Sequence, residues 1–220
     1  MSNSAASVQG KAGPVTGAVT GIGKAIAAAL AAAGARVVVN HDHAPEPAGK
    51  VVVGIETAGT AIAVAADISG RAECQAMVEQ LLTAYGRWDT LVNNAAATIT
   101  RPFPQITEAE FDISFAVNVK GVLHGLQLAG ERLADNGRII TISSSTTGLM
   151  LPGYAVYDAT KGAVEQFTHI LSKEFGPRGI TVNAVSPGAT ETETYRTGKS
   201  EQFLTGLRPS PTRRAGDWLM

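Results

Sequence analysis

Tyr157 and Lys161 stand four residues apart in Tyr-Asp-Ala-Thr-Lys, inside a run that alternates small and apolar residues. At that spacing two side chains lie one above the other on a single helix face. A free phenol, with a pKa near ~10, is a reluctant acid-base group at neutral pH. An ammonium one turn away favours the phenolate and draws that value down, so the pair reads as a proton donor with its activator. An amphipathic helix with a solvated lysine shows the same spacing, and the weight of the pair comes from its company. A glycine turn lies near the N-terminus (Gly17, Gly21, Gly23), Asn93-Asn94-Ala95 follows in the middle, and Ser143-Ser144-Ser145 precedes Tyr157.

Those residues need a scaffold, and the hydrophobic pattern supplies one. Val15 to Gly23 followed by the helical run Lys24 to Ala33 reads as strand, glycine turn and helix, the front of a dinucleotide-binding βαβ unit. The spacing is G-x-x-x-G-x-G rather than G-x-G-x-x-G, but the physics is shared. Glycines let the backbone approach a pyrophosphate, and the following helix aims free N–H groups and its positive dipole end at it. Arg36–Asn40 predicts a buried parallel strand, Pro45 and Pro47 a loop, and Gly49–Ala58 a helix. Thr60–Ala65 is a third strand leading to Asp67, and Ser69 an N-cap for a helix through Tyr85 that Gly86 closes. Leu91-Val92 forms a fourth strand. Thr107-Glu108-Ala109-Glu110 has capping-box spacing and opens a long helix to about residue 134 that contains Asn118. A fifth strand covers Arg138–Ile142, a helix Tyr154–Phe175 and a sixth strand Ile180–Val185. Strands alternating with helices predict a Rossmann-like, doubly wound parallel α/β sheet with helices on both faces, its ligand across the carboxyl ends of the strands. Gly13-Pro14 argues against a regular first strand, because proline removes a ladder donor.

No repeat or linker divides the 220 residues, so a single domain is expected, with residues 1–10 a disordered lead-in. The net charge of −1 advertises neither nucleic acid nor membrane as a partner. Cys74 is the single cysteine and excludes an intrachain disulfide. With no leader and no apolar run of ~18 residues, a cytoplasmic location is expected. His41 and His43 alternate as a strand end does, and no metal site is expected.

From about Gly10 to Thr192 the chain resembles the short-chain dehydrogenase/reductase family. The resemblance is carried by Thr16-Gly17-x-x-x-Gly21-Ile22-Gly23, Asp67, Asn93-Asn94-Ala95, Asn118 in Val-Asn-Val-Lys-Gly, Ser144, Tyr157-x-x-x-Lys161 and Pro187-Gly188-x-x-x-Thr192. It implies an NAD(P)-dependent enzyme interconverting a secondary alcohol and a ketone on a small or medium substrate. Tyr157 would be general acid/base, with Lys161 tuning it and binding the nicotinamide ribose. Ser144 would orient the reacting oxygen, and Asn118 would anchor a water chain to Lys161. Ser145 competes with Ser144 if S-x-x-G spacing is the better guide. Gly17, Thr20, Gly21, Ile22 and Gly23 would line the pyrophosphate, Asp67 with Ile68 the adenine edge, and Asn94 with Ala95 the ribose region. Pro187, Gly188 and Thr192 would close over the nicotinamide. Asn40 and His41 occupy the end of the second strand, where an acid selects NAD(H). Its absence leans the reading to NADP(H), although Asp42 pulls back. A homodimer or homotetramer through the helices carrying Asn118 and Tyr157 is implied.

The chain departs from the family pattern in places. Ala96 stands where glycine is usual, a crowding if the backbone needs positive φ. Residues 193–220 resemble a substrate flap and a truncated C-terminal segment, and the family's last strand is expected to be missing. Two rival readings follow: an impaired dinucleotide-binding relative, or an interaction module built on its two helices.

Overall fold

Three consecutive valines of Arg36–His41 (β2), Val37 to Val39, are all buried, and a strand achieves that only when both faces of its sheet are covered. Val38 joins one core, with Val64, Leu81, Trp88, Leu91 and Val164; Val37 and Val39 join the other, with Val15, Ala27, Val51 and Ile55. The computed structural model describes residues 7–56, 59–190 and 192. Around β2 lie Ala12–Val15 (β1), Thr60–Ala65 (β3), Thr90–Asn93 (β4), Arg138–Ile142 (β5) and Thr181–Val185 (β6). All pairings are parallel and the order is β3-β2-β1-β4-β5-β6, so the winding reverses between β1 and β4.

Gly21–Ala32 (α1) and Pro45–Glu56 (α2) pack on one face. Arg71–Tyr85 (α3), Gly121–Arg132 (α5) and Ala155–Glu174 (α7) pack on the other, with Glu108–Phe115 (α4) leading into α5 and a short turn, Thr146–Leu149 (α6), before α7. In α1 the buried positions Gly23, Ala27 and Ala31 recur every fourth residue, and their small size lets the helix lie close to the sheet.

Several expectations need correction. β1 is a central strand in spite of Pro14, paired with β2 over four residues and with β4 only at Val15. Thr16 N–H donates to Val92 O (3.0 Å), which puts the Thr90 carbonyl opposite the missing Pro14 donor. That carbonyl accepts instead from the Trp88 indole N–H at 2.9 Å. Asp89 clamps the strand start, accepting from Ala12 N–H (3.0 Å) and from Arg87. Pro45 and Pro47 lie inside the first turn of α2, where an N–H has no intrahelical partner to lose. The N-cap of α3 is Gly70, since the Ser69 N–H and hydroxyl both donate to Asp67.

Thr107 and Glu110 form the expected capping box, but a π turn over Ala116–Lys120 interrupts the long helix. Ala96 is not among the non-glycine residues with positive φ, so no crowding arises there. Of the lead-in, Gly10 is tied by its N–H to Gly34 O (2.8 Å), while residues 1–6 lie outside the described residues. The expectations of a flap, of a truncated segment and of an absent last strand fall on residues 193–220, which also lie outside the described residues. β6 departs from the both-faces-apolar pattern, because among its residues Val182 alone is buried. No helix among the described residues is long and apolar enough to cross a membrane.

Candidate active site

The glycine turn between β1 and α1 sits at the carboxyl edge of the sheet beside the reversal of winding. Gly17 and Gly21 adopt φ of +61° and +53°, the left-handed region that a side chain disfavours. A Cβ on Gly23 would lie 2.4 Å from Asn94 Nδ2 and 2.6 Å from Gly17 O. Asn94 fixes this turn, its amide donating to Thr16 O (2.8 Å) and Gly17 O (3.1 Å). The Thr16 hydroxyl receives the N–H groups of Asn94 (2.9 Å) and Ala95 (3.0 Å). Thr20 does not cap α1 with its side chain, and no acid lies in the first turn of that helix. The helix end therefore presents uncapped N–H groups and positive potential to a cleft of ≈ 610 Å³ lined by Thr20, Gly21, Ile22, Lys24, Thr190 and Thr192. These features suit the pyrophosphate of a dinucleotide.

Other expected nucleotide contacts have structural work of their own. Asn40 is buried, accepts from Gly17 N–H (3.2 Å) and donates to Ala66 O (3.0 Å), so it braces the turn from behind. His41 is 6% exposed and its Nδ1 has no partner, whereas the following Asp42 is exposed and contacts His43 at 3.2 Å. The Asp67 carboxylate holds the turn at Ser69, accepting from N–H and hydroxyl at 2.8 Å each. The Ile68 side chain packs on Gly121, where a Cβ would come within 2.6 Å of it. Pro187 O accepts from Ser145 N–H (3.0 Å), and Gly188 O accepts from the Thr190 hydroxyl (3.1 Å). Thr192 faces Gly21.

The second cluster forms where β5, α6 and α7 meet. Ser144 follows β5 by two residues, and its hydroxyl and that of Thr98, from the loop after β4, both favour the ionised form of the Tyr157 phenol. Ser145 instead ties its backbone to Pro187, and the neighbouring Ser143 donates to Glu165 at 2.5 Å. Lys161 is 4% exposed, donates to Ile142 O at 2.7 Å and lies 5.5 Å from the centroid of the Tyr157 ring. Burial draws its ammonium down to about 8, although Glu165 pulls the other way. Burial pushes the Tyr157 phenol up, and Asp158 and Tyr154 add to that, against the hydrogen bonds from Ser144 and Thr98. The phenol thus moves up rather than down as expected, because desolvation of the ring is the largest influence on it, while the Lys161 ammonium is turned toward the Ile142 carbonyl.

Asn118, at the π turn, uses its whole amide inside the protein. It accepts from Ala97 N–H (2.7 Å) and donates to Ala97 O (2.9 Å) and the Thr160 hydroxyl (3.0 Å), which donates onward to Tyr157 O (2.6 Å). It thereby joins the loop after β4 to the turn of α7 that carries the phenol. Thr98, Thr146 and Asp158 enter the site without having been given a role in the sequence, because isolated hydroxyls and carboxylates carry no periodic signal.

The sequence profile described as short chain dehydrogenase matches residues 11–202. An uncharacterized oxidoreductase of Methylorubrum extorquens is 44% identical over 213 residues, covering 95% of this chain and 86% of that protein. A hydroxynaphthalene reductase-like protein of Metarhizium brunneum is 38% identical over 191 residues, covering 86% and 72%. Among solved structures, a short chain dehydrogenase from Burkholderia cenocepacia in complex with NADP superposes with a TM-score of 0.82 at 38% identity, covering 85% of this chain and 77% of that one.

Proposed function

Because the chain belongs to the short-chain dehydrogenase/reductase family, we propose that it interconverts a ketone and a secondary alcohol with NADP(H), and less readily with NAD(H). The reading is carried by one juxtaposition: the Tyr157 phenol, with Ser144 beside it and buried Lys161 one turn on, faces the same carboxyl edge of the sheet as the glycine turn. The nicotinamide supplies or accepts the hydride when bound. Tyr157 delivers a proton to the oxygen that gains charge, and Ser144 orients that oxygen. Lys161 holds the nicotinamide ribose and steadies the phenol. Asn118, whose side chain is engaged with Ala97 and Thr160, holds the loop after β4 against the turn of α7 that carries Tyr157. Gly17, Gly21 and Gly23 with the end of α1 take the pyrophosphate, Asp67 and Ile68 border the adenine, and Pro187, Gly188 and Thr192 cover the nicotinamide. The lean to NADP(H) draws on the lack of an acid at position 41 and on the NADP held by the Burkholderia relative.

An apolar ring ketone is the substrate class favoured, since Leu149 and Met150 at the end of α6 are 60% and 80% exposed and one relative is named for a hydroxynaphthalene. A homodimer or homotetramer would pair through the groove of α5 and α7, where Leu123, Leu126, Phe167 and Ile170 line ≈ 570 Å³.

The test is a panel of ring ketones and polar keto acids followed by nicotinamide absorbance with NADPH and NADH. Tyr157→Phe should lower turnover by roughly 10²–10⁴-fold and leave nucleotide binding in place. Undiminished turnover in that variant would remove the acid assignment.

A further inference from the structure

Two charged side chains of α7, one turn apart, hold the same stretch of chain. Lys161 donates to the carbonyl of Ile142, the last residue of β5, at 2.7 Å, and Glu165 accepts from the hydroxyl of the next residue, Ser143, at 2.5 Å. The same oxygen, Glu165 Oε1, lies 3.2 Å from the Thr147 hydroxyl, which divides its one proton between that carboxylate and Ser144 O at 2.9 Å. Ser143 is 3% exposed and its N–H is tied to Val185 O at 2.8 Å, so its side chain meets the carboxylate from inside the protein. One carboxylate oxygen thus holds residues 143 and 147, and Ser144 lies between them. Tyr157, Lys161 and Glu165 recur every fourth residue along one face of α7, which puts the held segment and the phenol on a common frame.

We propose that Glu165 is a positioning residue: by its bonds to Ser143 and Thr147 it fixes the main chain of Ser144 against the face of α7 that carries Tyr157 and Lys161. The inference rests on the reading of Ser144 and Tyr157 given above, in which both act on one substrate oxygen. The phenol comes from α7 and the serine from the segment after β5, so the reaction depends on how those two elements are held together. A misplacement of about 1 Å between such groups lowers a rate on the order of 10²-fold. A carboxylate suits the task, because charge-assisted bonds from hydroxyls are shorter and stronger than those between neutral groups. Its charge has a second effect, opposing the desolvation that draws the Lys161 ammonium down to about 8.

The test separates bracing from charge by comparing Glu165→Gln, which keeps an oxygen to accept both hydroxyl protons, with Glu165→Leu, which keeps none. The probe is the ring ketone of the panel above that the wild type reduces fastest, with NADPH at about pH 6, where Lys161 stays protonated. Rates are expressed per NADPH-binding site, read by nucleotide fluorescence, so that misfolded protein does not count. Glu165→Leu should lower kcat by about tenfold or more while KM for NADPH moves less than about threefold, and Glu165→Gln should recover most of the loss. Ser143→Ala combined with Thr147→Val removes both donors and leaves the carboxylate. That pair should match Glu165→Leu, and adding Glu165→Leu to it should lower kcat no further. It carries the test if Glu165→Leu does not fold. A kcat near the wild type in Glu165→Leu or in the pair overturns the inference and leaves the roles of Ser144 and Tyr157 standing. A Glu165→Gln rate closer to Glu165→Leu than to the wild type also overturns it, because charge rather than bracing would then be acting. A wild type inert toward the whole panel, or undiminished turnover in Tyr157→Phe, removes the catalytic reading and this inference with it.

Discussion

Lys161 combines 4% exposure with a single carbonyl partner, and that combination costs stability at neutral pH. The unfolded chain keeps this lysine protonated to its ordinary value of 10.5, the folded one only to about 8. Between those values the unfolded state binds more protons, so folding gains stability as pH rises through the window. Below about 8 both states are protonated and the desolvation penalty is felt in full. Relative to Lys161→Met, the wild type should therefore gain on the order of 2–3 kcal/mol of unfolding free energy between neutral pH and the top of that window. Denaturant unfolding at both pH values checks this, and the contribution of Tyr157, common to both proteins, cancels. A difference that stays flat would mean the ammonium is solvated. The sequence named this lysine but not the burial that dominates its own titration and that of its neighbour. Spacing reports that two side chains share a helix face, whereas burial depends on what the rest of the chain lays over them.

At the level of elements, β1 shows how a broken local rule is compensated at a distance. Pro14 removes one ladder donor, Trp88 supplies a replacement to the Thr90 carbonyl, and Gly13 admits that carbonyl closely, since a Cβ there would lie 1.8 Å from it. Trp88→Phe keeps the ring in the core and withdraws the N–H. It should cost about 1–3 kcal/mol for the buried acceptor left alone, read as a lower urea midpoint with an unchanged slope. The π turn at Ala116–Lys120 was equally hidden in the sequence, where Thr107 to about residue 134 reads as one helix. Hydrophobic period and capping residues mark where a helix begins, and the ties from Asn118 to Ala97 and Thr160 act across elements that no local window spans.

Taken whole, the molecule concentrates its chemistry at one edge of the sheet and leaves an apolar groove between α5 and α7 on one face. Ile170, 57% exposed, projects from that groove. If two copies pair there, Ile170→Glu should convert the pair to monomer in light scattering while the melt of the monomer moves little, because a side chain so exposed adds little to the core. A wild type that runs as a monomer at assay concentrations would remove this interface.

Residue types and spacing alone determined the α/β class, the positions of nearly all the strands and the identity of the glycine turn, phenol and lysine. These follow from short-range rules: side-chain period, glycine backbone freedom and helix-face geometry. Tertiary structure alone decided that the phenol is raised rather than lowered, that Asn40 and Asn118 face inward as braces, and that Glu165 holds Ser143 and Thr147 to α7. Desolvation and hydrogen-bond direction depend on groups brought together from distant parts of the chain, and a linear pattern does not encode their distances.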